Sequence, residues 1–356
     1  MKNDIAQLQK SLPPRTAALV VSPVNRRCLT GFESSDGLLF ITPSAACFLT
    51  DSRYIEAAQT VVTACPVKEL KSTDGQLRAL CKTHRVKRLF IETAYTTLDE
   101  AARLRRYLPG VWIETHDNRI DLHLRNIRMH KSPAQADCVR SAQRIAEGAL
   151  THILNFVKPG LTEREVALEL DYTMLRGGAQ ALSFETIAVA GENGSKPHGV
   201  PGERKLRAGD LLTLDFGAVV DGWHSDMTRT IAIGKPDVES RKIYTIVLEA
   251  QLAALDKLAP GIPCKDIDAA ARNVIEAAGY GEHFRHGTGH GVGLEIHEAP
   301  SVSSKSKDVL APGMVVTVEP GIYLPGKCGV RIEDMALITE TGYENLTRAD
   351  KRLIVL

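Results

Sequence analysis

The sequence predicts two domains. Residues 1–125 form an α/β N-terminal domain, and residues 126–356 form an α+β domain with pseudo-twofold organisation, a curved antiparallel sheet backed by helices. Three observations carry this reading. The chain has 356 residues, long for one hydrophobic core. Its first ~115 residues alternate short apolar runs with amphipathic ones. The remainder contains two similar helical segments 101 residues apart, each followed by strand-like runs.

In the first domain, TAALVVS (16–22), GLLFIT (37–42), ACFLT (46–50), VKRLFIE (86–92) and VWIET (111–115) read as strands. DGQLRALCKTH (74–84) and TLDEAARLRRYL (97–108) read as helices. Strands separated by helices imply a largely buried sheet. The polar stretch 117–133 reads as the boundary between domains. Ser132 then offers an N-cap and Pro133 suits the first turn of a long helix over 134–157.

The repeat aligns without gaps. LNFVKPGLTEREVALELDYTMLRGGA starts at Leu154 and LDKLAPGIPCKDIDAAARNVIEAAGY at Leu255. Pro159-Gly160 matches Pro260-Gly261, and Gly178 matches Gly279. Each unit reads as helix, Pro-Gly break, helix and glycine stop. DLLTLDFGAVV and HSDMTRTIAIG follow the first unit; MVVTVEP and GVRIEDMALIT follow the second. Amphipathic helices can look alike by chance, but agreement at both glycine stops favours duplication.

Composition narrows the function. The net charge is +1, with no basic excess to suit nucleic acid or a membrane surface. No apolar run reaches the ~18 residues of a membrane span, and the start MKNDIAQLQKSLPP has no apolar core, so a cytoplasmic protein is expected. The seven cysteines are scattered with no CxxC pair, which points to idle thiols.

The chemistry begins in LTLDFGAVVDGWHSDMTRT. Asp221-Gly222 is a two-residue hairpin turn, which sets Val220 opposite Trp223. Counting back, Asp226 faces Gly217 and Thr228 faces Asp215, so the two aspartates are diagonal neighbours on one face. Apolar neighbours keep that face dry, and close, poorly hydrated carboxylates need protons or cations. Glu319 (MVVTVEPGIY) and Glu333 (GVRIEDMALIT) add two carboxylates to apolar strand-like runs. Arg331 shares a strand face with Glu333, and a simple salt bridge between them is the competing explanation.

HGTGHGVGLEIHE (286–298) places three histidines among four glycines. Four carboxylates with one or two histidines suit a hard or borderline divalent ion, and a charge of −4 would be balanced by two. Two such ions can activate water and polarise a carbonyl. Spacing alone leaves open which histidine is the ligand.

Taken in order, LTGFESSDGLLFIT, LTDSRYIEAA, PHGVPGERKLRAGD, LDFGAVVDGWHSDMTRTIAIG, HGTGHGVGLEIHE, VVTVEPGIYLPG and GVRIEDMALIT resemble the pita-bread metallopeptidases, in their aminopeptidase P and prolidase branch. The resemblance implies that Asp215, Asp226, His290, Glu319 and Glu333 bind two divalent ions, manganese first, with cobalt, zinc or iron as alternatives. It implies that Asp226 and Glu333 bridge both ions. It gives His198 and His297 the roles of binding substrate and stabilising the tetrahedral intermediate, and gives Glu319 proton handling. His286 becomes a pocket-wall residue, and Arg331 a residue beside the metals.

The implied activity is hydrolysis of Xaa-Pro bonds at the N-terminus of short proline-containing peptides by a homodimer. An Xaa-Pro dipeptidase (prolidase) is the alternative. Some prolidases place an arginine just after HExP; here the segment reads HEAPSV, with Ser301 instead, which tilts the reading to the aminopeptidase. A non-catalytic pita-bread binding protein is a further alternative, which retention of all five ligands opposes.

Overall fold

A computed structural model describes residues 2–356. The chain divides into two compact units, Met1–Arg128 and Met129–Leu356.

The first unit holds a six-stranded sheet in the order Val67–Glu69, Ala46–Thr50, Leu38–Ile41, Thr16–Val20, Arg88–Ile91, Trp112–Glu114. The sheet is mixed: Thr16–Val20 pairs antiparallel with Leu38–Ile41 and parallel with Arg88–Ile91. Both faces are buried, which is why its strands read as continuous apolar runs. Ala18 and Val20 enter one core cluster, while Ala17 and Leu19 enter the other. The expected polar connection over 117–133 is largely a helix, Arg119–Met129. Ile120 and Leu124, four apart, bury one stripe of it beneath the sheet, so the compact unit extends to Arg128 rather than residue 125.

The second unit is built twice. Its first half pairs helices Pro133–Phe156 and Glu163–Arg176; its second pairs Val238–Asp256 with Cys264–Ala277. Ser132 caps the first helix through a reciprocal bond with Gln135. The repeat is visible in the backbone. Gly160 and Gly261 have φ of 94° and 86°, and Gly178 and Gly279 have φ of 102° and 85°. Gly160 N–H donates to Leu206 C=O (2.9 Å), as Gly261 N–H does to Leu310 C=O (2.8 Å).

Each half backs its helices with an antiparallel sheet. The first contains Ile187–Ala190, Leu211–Phe216 and Met227–Ala232; the second is five-stranded around Val315–Val318 and Asp334–Ile338. Shorter antiparallel pairings complete the curved sheet arrangement: Ala218–Val220 with Trp223–His224 and Ala181–Leu182, and Gly321–Leu324 with Cys328–Arg331. The halves meet where Glu333 N–H donates to Thr228 C=O (3.1 Å) and Arg331 N–H to the Thr230 hydroxyl (3.1 Å). The site lies at this seam. Among the described residues, no helix is long and apolar enough to cross a membrane, and the cysteines form no disulfide.

Candidate metal centre and active site

The hairpin turn forms as its residues require. Asp221 and Gly222 have φ of 47° and 70°, the left-handed pair of a tight two-residue loop. The register Val220↔Trp223 continues to Phe216↔Met227 and Asp215↔Thr228. Asp215 and Asp226 therefore lie diagonally across the strands, as the turn predicts, and both are buried.

His290 sits on the short strand Gly289–Gly291, between Glu298–Val302 and Val315–Val318. Its neighbours must be glycine. A Cβ at Gly289 would lie 2.0 Å from the Thr317 carbonyl oxygen, and one at Gly291 2.2 Å from that of Ala299. The His290 Nδ1 faces the Gly291 carbonyl at 3.1 Å. A carbonyl only accepts, so Nδ1 carries the proton and the Nε2 lone pair is free. That Nε2 lies 3.3 Å from Glu319 Oε1 and 3.6 Å from Asp226 Oδ2.

Threonines hold the carboxylates. The Thr317 hydroxyl accepts from His290 N–H (3.0 Å) and donates to Glu319 Oε1 (3.2 Å). The Thr228 hydroxyl donates to Glu333 Oε2 (2.8 Å) and accepts from Arg331 Nε (3.1 Å). The ion-pair partner of Arg331 is Asp215, not Glu333. Its guanidinium also donates to the Tyr323 hydroxyl (2.8 Å) and the Pro197 carbonyl (3.2 Å). Tyr323 in turn donates to His286 Nε2 (3.0 Å), because His286 Nδ1 donates to the Gly287 carbonyl (2.8 Å).

Burial and crowding push the acids away from ionisation. Asp226 is raised by burial, then by Asp215 and Glu319. Glu333 is raised by burial, then by Asp226 and Glu319. Glu319 is pushed up to about 7, mainly by burial. Burial moves the histidines the other way: His290 and His297 are lowered, and His286 falls to about 4.

The arrangement fits divalent cations. Asp226, His290 and Glu333 each offer a ligand atom, all within 4.8 Å of one another. Asp215 Oδ1 and Glu333 Oε1 are buried without a hydrogen-bond partner. Such acceptors cost free energy unless a cation or donor meets them. One cavity of about 580 Å³ brings together all the residues singled out from the sequence: the four carboxylates, His198, His286, His290, His297 and Arg331. His198 and His297 are exposed on its wall, and the His297 ring stands edge-on to His290, centroids 4.4 Å apart.

Sequence reasoning missed two supports. Tyr323 lies inside a quoted motif, but its spacing gave no hint that it joins His286 to Arg331. Asp268, fully buried, accepts from Thr288 N–H (3.0 Å), the Thr288 hydroxyl (2.9 Å) and Arg272. Arg272 also donates to the His286 carbonyl (2.9 Å). At four residues apart on a helix, this pair has the spacing of an ordinary surface salt bridge, so its sequence context carries no signal of the role.

Residues 137–340 match the metallopeptidase family M24, and residues 15–130 match the creatinase/prolidase N-terminal domain. The chain belongs to metallopeptidase family M24. Among relatives of this M24 peptidase, the uncharacterized peptidase YqhT of Bacillus subtilis (strain 168) is 40% identical over 95% of each chain. An Xaa-Pro dipeptidase from Bacillus anthracis superposes with a TM-score of 0.93 at 36% identity, covering 100% of this chain and 99% of that one. An X-Pro aminopeptidase from Thermotoga maritima MSB8 gives 0.89 at 32% identity, covering 96% and 97%.

The charge crowding in this M24 peptidase sets a pH signature for the metal-free protein. An acid whose pKa is raised by folding binds more protons folded than unfolded, so stability falls as pH rises. Histidines lowered by folding act oppositely, up to about one pH unit above their unfolded value of 6.5. From about pH 7.5 to 9 the raised acids act almost unopposed. With chelator, Tm should fall by at least ~4 °C across that window, and divalent ions should restore most at the higher pH. Calorimetry showing a flat chelated Tm would contradict the crowding.

Proposed function

We propose that this M24 peptidase is an Xaa-Pro aminopeptidase, cleaving the N-terminal Xaa-Pro bond of short peptides with two divalent ions, manganese first. Asp215, Asp226, His290, Glu319 and Glu333 would hold the ions. When bound, divalent ions supply water activation at neutral pH and polarisation of the scissile carbonyl.

The side chains supply the rest. Glu319 can take the proton of the attacking water and pass it to the leaving proline nitrogen. That transfer is required because an amide anion is too basic to leave. His297 and His198 offer N–H donors from the cavity wall to the developing oxyanion. The Arg331 guanidinium pairs with Asp215 and orients its carboxylate. His286, neutral and bonded to Tyr323, forms a wall. Accordingly, His297→Ala should lower kcat roughly 10²- to 10³-fold with metal content unchanged. His286→Ala should cost less than about tenfold. Steady-state kinetics beside metal analysis checks both.

One observation carries the choice of aminopeptidase. A dipeptidase must hold the carboxylate of the product proline. Among the described residues lining the cavity, Arg331 is the one arginine, no lysine joins it, and it is committed to Asp215 and Tyr323. Ser301 lies where a gripping arginine is expected, and its hydroxyl bonds Ser303 at 3.1 Å. Ser301→Arg should therefore raise kcat/KM on Ala-Pro relative to Ala-Pro-Ala by about tenfold or more. An unchanged ratio would remove Ser301 from the argument.

The dipeptidase is the second reading. It is favoured by the higher identity and TM-score to the B. anthracis Xaa-Pro dipeptidase than to the T. maritima enzyme. It requires a cation from outside the lining residues. A homodimer in the cytoplasm is the accompanying expectation, and sedimentation of the metal-loaded protein tests the assembly.

A further inference from the structure

We propose that Glu163 is a positioning residue that pins the segment 190–202 and so sets His198 at the cavity. This rests on the reading in which His198 serves the reacting carbonyl. Glu163 is the first residue of its helix and is fully buried. Its carboxylate takes three N–H donors, all from one segment. Ala190 N–H donates to Oε1 at 2.8 Å, while Asn193 Nδ2 (2.8 Å) and Gly202 N–H (3.1 Å) donate to Oε2. Among the described residues, no basic side chain pairs with it.

The clamp is reciprocal. The helix start leaves backbone donors free, and two of them reach the same stretch of chain. Glu163 N–H donates to the Arg204 carbonyl (3.0 Å) and Arg164 N–H to that of Gly202 (3.1 Å). Between these anchors, Pro197 to Pro201 line the cavity. His198 lies on irregular backbone, exposed, with no hydrogen bond of its own among the described residues. Its place therefore depends on how the segment is held. Arg331 touches the segment from the other side, at the Pro197 carbonyl.

The internal repeat separates this role from folding. The counterpart of Glu163, 101 residues on, is Cys264, also buried and also first in its helix. Cys264 N–H donates to the Asp308 carbonyl at 3.0 Å, just as Glu163 N–H does to Arg204. The same helix start is thus built without a carboxylate. What differs is the loop that each half presents, and the carboxylate stands in the half that carries His198.

The test is a double-mutant cycle on the manganese-loaded enzyme with Ala-Pro-Ala. Glu163→Gln keeps the shape but turns one acceptor into a donor, facing N–H groups. Expected are a kcat lowered at least tenfold, unchanged metal content, and faster amide exchange confined to 190–202. Added to His198→Ala, Glu163→Gln should cost less than twofold more. If it slows His198→Ala by the same factor as wild type, or leaves exchange unchanged, the proposal is overturned. Should Glu163→Gln fail to fold, Asn193→Ala removes one donor and keeps the carboxylate, and the same cycle decides. A wild-type rate for His198→Ala alone would instead remove His198 from the reaction, and the exchange data would still decide whether Glu163 holds the segment.

Discussion

Glu333→Gln is expected to lower kcat/KM on the order of 10³-fold while the metal-free protein becomes more stable. The two effects share one cause. Glu333 is buried against Asp226, Asp215 and Glu319, and burial with these neighbours raises it well above the ordinary carboxylate range. One oxygen takes the Thr228 hydroxyl, and the other has no partner. Glutamine fills the same volume and can keep the Thr228 contact. It removes a negative charge that folding penalises and cations require. Activity and metal content should fall together, while the chelated variant should melt above chelated wild type at pH 8. A fully active variant, or one less stable without metal, would contradict the charge-crowding account.

Gly289→Ala is expected to destabilise the chelated protein by about 3 kcal/mol or more. The new methyl would meet the Thr317 carbonyl oxygen at 2.0 Å, and backbone on both sides leaves no flexible group to yield. Relief must come from parting the strand Gly289–Gly291 from its neighbour Val315–Val318. Those two strands carry His290 and lead into Glu319, so metal binding should weaken with stability. Urea unfolding, with the slope compared with wild type, measures the loss. A shift under about 0.5 kcal/mol would show that the strands are not so tightly apposed.

Local rules made much of this legible in the sequence. The Asp-Gly turn fixed the pairing of Asp215 with Thr228 because register propagates pair by pair from a two-residue loop. The Pro-Gly and glycine stops marked the repeat because each needs a left-handed backbone. What escaped depends on chain segments far apart. Arg331 meets Asp215 across 116 residues of sequence, so strand alternation pointed to Glu333 instead. Lys131 and Glu298 form a buried pair at 2.5 Å across the catalytic unit, and neither residue's local context signals it. The helix Arg119–Met129 was hidden by its charges, although Ile120 and Leu124 already had helical spacing. The ligand set emerged through the family resemblance, since spacing alone did not choose among three histidines.

The central claim is hydrolysis of the N-terminal Xaa-Pro bond with room beyond the proline. It is tested most directly by giving the manganese-loaded enzyme an equimolar mixture of Ala-Pro and Ala-Pro-Ala beside a chelated control. Chromatography then follows alanine, proline and Pro-Ala. The account predicts Pro-Ala well ahead of proline, and neither product in the chelated sample. Proline without Pro-Ala would make the enzyme a dipeptidase, and no product with any divalent ion would overturn the Xaa-Pro assignment.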